Sequence, residues 1–263
     1  MNLGITLCTL MLLAIGAPGA TIVLPASMDN TLYENPGGSL SNGAGDYFFA
    51  GRSNHPPETT DNPSIERGLI RRGLVAFDIH GSLPARAIIS TAVLQVFASN
   101  VSTNIDPVAD TAGLTIHRLT MDWGEGVSDA SGQEGAGANA QIGDATWIHN
   151  AYTMSTWNTA GGDYLVNPTA QTTVAGIGVY SFQSTQLSQD IQGWLDSPGS
   201  NFGWILVGDE STHLTARRFN SRTHPLDATR PSLTITYIIP EASVSTYLIL
   251  GYCLLGMRKR HQI

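Results

Sequence analysis

The chain has 263 residues, of which 42% are apolar and only 13% are charged, and its formal net charge is -8. This composition excludes a disordered, collagen-like or fibrous protein and leaves enough apolar residues for one sizeable core. The 21 acidic residues outnumber the 13 basic ones. Because binding to phosphates requires clustered positive charge, this balance argues against nucleic acid as a partner.

Residues 1–20 have the pattern of a secretory signal peptide. An apolar run from Leu3 to Ile15 is followed by small residues that end at Ala20. Such a run is too short to cross a bilayer as a helix, and the small residues suit a signal peptidase. The sequence therefore predicts export, with cleavage after Gly19 or Ala20.

Residues 240–263 have the pattern of a C-terminal sorting signal. They begin with a box formed by Pro240, Glu241 and Ala242. An uncharged stretch up to Met257 follows, and then a basic tail with Arg258, Lys259 and Arg260. A short membrane helix with its basic end in the cytoplasm is predicted. This order of parts resembles the PEP-CTERM signal of Gram-negative bacteria that make extracellular polysaccharide, with Ala242 as the departure in the box. The resemblance implies that an exosortase-type membrane protease is a partner. It also implies that the C-terminal helix enters the inner membrane before processing and that the protein ends in the cell envelope. A plain membrane anchor is the alternative.

Residues 21–239 are predicted to form one all-β domain. Short alternating runs rich in β-branched and aromatic residues are separated by Gly, Pro, Asn and Asp, which is the pattern of a β-sandwich. About ten strands are predicted, at Thr21–Leu24, Asn30–Glu34, Tyr47–Ala50, Leu74–Ile79, Ile89–Ala98, Leu114–Leu119, Gly178–Phe182, Trp204–Gly208, Thr215–Asn220 and Ser232–Ile238.

Two segments of this domain depart from the strand pattern. Between Thr185 and Asp196 the apolar residues have helical spacing, so one short helix, capped by Ser184 or Thr185, is predicted. The stretch Trp123–Tyr164 is rich in Gly and is predicted to be a large surface loop.

Several motifs of the domain resemble those of DNRLRE domains. They are RRGLVAFDI at 71–79, Leu83-Pro84-Ala85 with the strand that ends at Val96, GDATW at 143–147, Trp157, GGD at 161–163, NFGW at 201–204, FNSR at 219–222 and RPSLTITY at 230–237. The resemblance implies a jelly-roll β-sandwich, related to a carbohydrate-binding module family that binds acidic polysaccharide. It also implies a bacterial envelope or matrix protein, since many members carry a PEP-CTERM tail.

Tryptophan and arginine are the candidate carbohydrate-binding residues. An exposed indole stacks on a sugar ring, and Trp123, Trp147 and Trp157 lie in the polar, Gly-rich stretch. Packing of these rings beneath the loop is the alternative, whereas Trp194 and Trp204 have core-like contexts. The pair Arg217–Arg218 and Arg222 can bind sugar carboxylates with both nitrogens of the fork. Pairing with neighbouring acids is the alternative for these arginines.

Calcium is the only cofactor that the sequence suggests. Asp29, Asp46, Asp78 and Asp209 supply carboxylates at strand ends, although no contiguous loop has calcium-ligand spacing. Both cysteines, Cys8 and Cys253, lie in the terminal signals, so the domain is predicted to fold without disulfides.

No catalytic motif of the metalloprotease or serine-hydrolase type occurs in the sequence. We therefore expect a non-enzymatic protein of the cell envelope or extracellular matrix that contacts polysaccharide. A lyase or glycoside hydrolase, using carboxylates such as Asp122 and Glu125, stays open as an alternative. A purely structural surface protein is the third possibility.

Overall fold

The structure is a computed structural model that describes residues 19–53, 70–101, 112–212 and 214–240. Nearly all of the predicted signal peptide lies outside these residues. So does the predicted sorting signal, apart from Pro240, which is exposed. The expectations for Glu241, Ala242, Arg258, Lys259 and Arg260 therefore stay predictions. Within the described ranges, no helix is long and apolar enough to cross a membrane.

Short strands dominate the described residues, and the predicted all-β sandwich with one short helix is confirmed. The strands are β1 Ala20–Pro25, β2 Met28–Tyr33, β3 Leu40–Ser41, β4 Tyr47–Arg52, β5 Ile70–Ala76, β6 Ile88–Val101, β7 Ala112–Arg118, β8 Ala138–Asn139, β9 Ala170–Val174, β10 Gly178–Phe182, β11 Trp204–Gly208, β12 Arg217–Asn220 and β13 Ser232–Ile238. The helix, α1, spans Thr185–Asp196, and two 3-10 turns span Pro198–Ser200 and Asp227–Thr229. All ten predicted strands overlap observed ones. The strands β3, β8 and β9 were not predicted.

Eleven of the thirteen described strands form two antiparallel layers that curl into one continuous sheet, whereas β3 and β8 pair in a separate two-stranded sheet. The first layer has the order β1-β13-β6-β12-β4, with β10 on the other edge of β6. The second layer has the order β2-β5-β11-β7-β9. Strand β6 is the longest and pairs with β13, β12 and β10, so it organises the whole first layer.

The two layers meet at a corner within β4. The first part of β4 pairs with β12, whereas Gly51 and Arg52 pair with β5 of the second layer. Gly51 has φ +112°, and a Cβ atom there would lie 2.5 Å from the carbonyl oxygen of Thr215. Only glycine fits this backbone and this close approach, so Gly51 allows β4 to belong to both layers.

The main core lies between the two layers. Its largest contacts are aromatic: the rings of Phe48 and Phe219 stack at 5.4 Å, and those of Trp194 and Trp204 lie 4.5 Å apart. Trp194 belongs to α1, which buries one face against this core as its spacing predicts. Ser184 caps the helix by accepting the Leu187 N–H at 2.9 Å.

The predicted surface loop instead packs over the outer face of the second layer. Residues 121–164, which we call the cover segment, contribute to a second core with apolar residues from β2, β5 and β11. Backbone hydrogen bonds order the cover segment internally, such as Ala145 N–H to the Gly124 carbonyl at 2.8 Å. This segment is a loop, as predicted, since β8 is the only strand within residues 121–164, but several of its side chains are buried because it covers an apolar face of the second layer.

We expect Gly51→Ala to destabilise the protein by about 3 kcal/mol, because a side chain there strains the backbone and meets the Thr215 carbonyl. Chemical denaturation of the full-length protein measures this loss. Gly113→Ala in β7 is the matched control, since a Cβ atom there has nothing within 4 Å. Similar losses of stability in both variants would contradict the role of Gly51 at the corner.

Candidate functional site

Two of the three candidate tryptophans are structural. Trp123 and Trp157 are only 4% and 5% exposed and belong to the second core. Their indole N–H groups donate to the carbonyls of Phe202 and Thr146, at 2.8 and 2.9 Å. The prediction of sugar platforms at these two positions was wrong, because both rings hold the cover segment against the second layer.

Trp147 is half-buried, and the guanidinium of Arg72 already packs against its ring. The guanidinium carbon of Arg72 lies 4.9 Å from the centroid of Trp147 and 5.5 Å from that of Tyr164. Arg72 also makes a two-point ion pair with Glu210, at 2.7 and 2.9 Å. The stack leaves Trp147 as an anchor for the cover segment rather than a free platform.

Arg217 and Arg222 are also engaged in the structure. The side chain of Arg217 points between the layers and is 1% exposed, so the prediction that it contacts a sugar was wrong. Strand alternation is the physical reason, because Arg217 shares its face with the core residue Phe219. Arg222 forms a two-point ion pair with Glu125, as the alternative interpretation anticipated. The same pairing engages Glu125, one of the two carboxylates considered for catalysis.

The structure does not gather the four aspartates considered for calcium into one cluster. Among the residues that the structure describes, no group of three or more acidic, His or Cys side chains is placed to hold a metal ion. Asp78 accepts the Gly81 N–H at 2.9 Å in a turn. Partial burial raises the pKa of Asp209, but hydrogen bonds from Ser211 and Thr212 outweigh this effect and lower the pKa to about 2. Asp46 is half-buried, and Asp29 is buried at the base of the cover segment.

A buried polar cluster joins the cover segment to β2. Asp29 accepts the Arg222 N–H at 2.5 Å, and its own N–H donates to Glu125 at 2.9 Å. The Asn30 amide donates to the Glu125 carbonyl at 2.6 Å. Burial raises the pKa of Asp29 to about 7, with the negative charge of Glu125 adding to the rise and Arg222 opposing it. The cluster therefore contains a carboxyl group that titrates near neutral pH.

A small cationic pocket lies at the corner where β4 passes between the layers. We call it the arginine pocket; its volume is about 260 Å³, and it is lined by Phe49, Ser53, Arg71, Asn100, Gly135, Leu214, Ala216 and Arg218. Arg71 comes from β5 and Arg218 from β12, so each layer supplies one guanidinium. The pocket thus exists only because the corner brings the two layers together.

Arg71 forms the fixed wall of the arginine pocket. It is 6% exposed, and its guanidinium carbon lies 4.9 Å from the centre of the Tyr33 ring. The guanidinium donates to the carbonyls of Gly135 and Ile70, at 3.3 and 3.0 Å. These contacts hold the guanidinium of Arg71 in one position.

Arg218 forms the more accessible wall. Its guanidinium carbon lies 3.8 Å from the centre of the Tyr47 ring, and its nitrogens donate to Ser99 at 3.1 Å and to Gln133 at 2.6 Å. Both partners are uncharged, and Arg218 has no carboxylate partner among the described residues. Its charge is therefore oriented but not neutralised, which suits the binding of an anion.

Of the sequence pair Arg217–Arg218, the structure favours Arg218, because Arg217 is buried. The sequence alternation along β12 could have predicted this choice. Successive side chains of a strand point to opposite faces, so Arg218 points outward when its neighbour Phe219 is buried. Arg71 was not identified as a candidate, because nothing local shows that β5 and β12 approach one another.

The pH dependence of stability should report on Asp29. Its folded pKa of about 7 lies above the ordinary aspartate value of 3.8, so the folded state binds the proton more tightly. The stabilising contribution is complete below about pH 4 and declines as pH rises through 7, by about 4 kcal/mol at most. Asp29→Asn should remove this decline, as measured by urea unfolding of the full-length protein from about pH 4 to about pH 8.

Asp78→Asn, at an exposed turn, is the matched control for the substitution itself. A difference in unfolding free energy between wild type and Asp29→Asn that stays constant across this pH range would contradict a buried, titrating Asp29.

Comparison with known proteins leaves the arginine pocket as the main guide to function. No protein-family model matches the chain, and no curated protein matches it. The geometry of the pocket and the sequence signals are therefore what support a function.

Proposed function

We propose that this protein is a non-enzymatic, exported component of the cell envelope or extracellular matrix that binds acidic polysaccharide in the arginine pocket. The observation that carries the proposal is that Arg218, whose guanidinium has no carboxylate partner among the described residues, lines one small pocket together with the buried Arg71. The predicted signals at the two termini supply the location.

The chemistry of the arginine pocket suits the carboxylate of a sugar acid. A guanidinium presents parallel N–H donors that match the two oxygens of a carboxylate, and such charge-assisted bonds are about twice as strong as neutral ones. Asn100 and Ser53 add polar groups of the kind that bind sugar hydroxyls, and Phe49 adds an apolar wall. A polymer with one carboxylate per sugar could place a single residue in the pocket and extend over the neighbouring surface.

The net negative charge of the whole chain restricts where an acidic polymer can bind. With a net charge of -8, most of the surface repels an acidic polymer, so attraction is confined to places where positive charge is exposed. Arg218 is such a place because both of its side-chain hydrogen-bond partners are neutral. We therefore propose one localised site rather than diffuse binding.

The proposed location follows from the sequence motifs. A secretory signal, a PEP-CTERM-like tail and the resemblance to DNRLRE domains support export, handling by an exosortase and residence in the envelope of a Gram-negative bacterium. Acidic polysaccharide is a component of such surroundings. The proposed ligand and the proposed location therefore support one another.

We expect Arg218→Gln to weaken the binding of polygalacturonate by about tenfold or more, because the substitution removes a charge-assisted hydrogen bond. Arg218→Lys should retain part of the affinity, since it keeps the charge but loses the fork. Calorimetric titration of the full-length protein, in a detergent without a sugar headgroup, measures both effects. Rising salt should weaken binding to the wild type.

Arg86→Gln is the matched control, because it removes the same charge at an exposed position that does not line the arginine pocket. Equal losses in Arg218→Gln and Arg86→Gln would contradict a localised site. Size-exclusion chromatography follows the length of the polymer in the same samples. Shortened polymer would overturn the non-enzymatic part of the proposal.

A further inference from the structure

A second cavity lies on the opposite edge of β6 from β13 and is distinct from the arginine pocket. We call it the helix groove; it has a volume of about 580 Å³ and runs between the first residues of β6 and the helix α1. This volume falls within the roughly 300 to 1,000 Å³ that small-ligand sites usually enclose. None of its lining residues belongs to the arginine pocket.

The groove exists because β6 is longer than its neighbour β10. Strand β13 pairs with β6 down to Ile88, whereas β10 pairs with it only as far as Leu94. Within the described part of the chain, the start of β6 therefore has a strand partner on one edge only. The helix α1 stands beside the open edge and forms the second wall.

The lining of the helix groove is uncharged and combines apolar surface with hydroxyl and amide groups. None of its eleven lining residues is ionisable, and eight carry a hydroxyl or a side-chain amide. Six of these eight side chains make no hydrogen bond with any residue that the structure describes: Ser90, Thr91, Gln183, Thr185, Ser188 and Gln189. The groove thus offers several groups that both donate and accept hydrogen bonds.

We propose that the helix groove binds a neutral, hydroxyl-rich glycan chain. Sugar hydroxyls also donate and accept, so they match a wall of hydroxyls and amides that carries no charge. Ile88, which is 48% exposed, provides apolar surface for the C–H face of a sugar ring. This second site takes a class of ligand that the arginine pocket does not select.

An added peptide strand is the competing occupant of an open sheet edge, and the structure disfavours it. The Gln192 side chain already bonds this edge as a neighbouring strand would, accepting the Ile89 N–H at 2.9 Å and donating to the Ala87 carbonyl at 3.3 Å. An incoming strand would have to displace this amide. A glycan can use the free side chains and leave Gln192 in place.

The test is calorimetric titration of the full-length protein with cellohexaose, in a detergent without a sugar headgroup. We expect saturable binding to the wild type and a loss of about tenfold in the double variant Thr91→Val, Gln189→Leu, which removes two hydrogen-bonding side chains. The matched control is Thr173→Val, Gln171→Leu in β9, where both residues are also exposed. The control should bind cellohexaose like the wild type.

Polygalacturonate binding is measured for the same variants and for Arg218→Gln. We expect the groove variant to keep its polygalacturonate affinity and Arg218→Gln to keep its cellohexaose affinity, so failure of either site is seen separately. No cellohexaose binding to the wild type, or equal binding by the groove and control variants, would overturn the groove proposal. Tighter binding by a peptide with the β10 sequence, which displaces cellohexaose, would overturn it in favour of strand addition.

Discussion

The crossing of β4 from one layer to the other at Gly51 is the constraint on which the rest of the structure depends. One strand pairs with β12 along most of its length and with β5 at its end, so the two layers become a single curled sheet. The left-handed φ of Gly51 and the approach of the Thr215 carbonyl leave no space for a side chain. The same crossing brings Arg71 of β5 and Arg218 of β12 to one pocket. Architecture and proposed binding therefore share one corner of the molecule.

A second constraint is the apolar outer face of the second layer. The cover segment buries this face with Trp123 and Trp157, and the polar cluster around Asp29 and Glu125 fixes its start. Tryptophans that would otherwise suit sugar stacking are thereby used for packing. In our interpretation, recognition of a ligand depends on charge in the arginine pocket and on neutral hydrogen-bonding groups in the helix groove.

Local patterns predicted the regular elements well because their causes are local. The alternation in Ser232–Ile238 and the helical spacing in Thr185–Asp196 matched β13 and α1 residue for residue. The two-residue strands β3 and β8 are too short for any periodicity to show. The polar strand β9, Ala170–Val174, lacks the run of β-branched apolar residues that marked the others.

The candidate sites were harder to predict because their causes are distant in sequence. The Gly-rich stretch is ordered by hydrogen bonds to residues far away along the chain. One example is the bond from the Asn42 side-chain amide to the Glu134 carboxylate, at 2.8 Å. The burial of Trp123, Trp157 and Asp29 follows from the same long-range packing. The choice between Arg217 and Arg218 was the exception, because strand alternation with the buried Phe219 is enough to show that Arg218 points outward. The presence of Arg218 and Arg71 in one pocket depends on the corner at Gly51, which no local pattern reveals.

The most direct measurement is an NMR titration of isotopically labelled full-length protein with trigalacturonate. We expect the largest shifts at the side-chain Nε–H of Arg218, the side-chain amide of Asn100 and the backbone amides of Leu214 and Ala216, all of which line the arginine pocket. Shifts confined to the surroundings of Trp147, or spread evenly over the surface, would contradict a localised acidic-sugar site at the corner of the two layers.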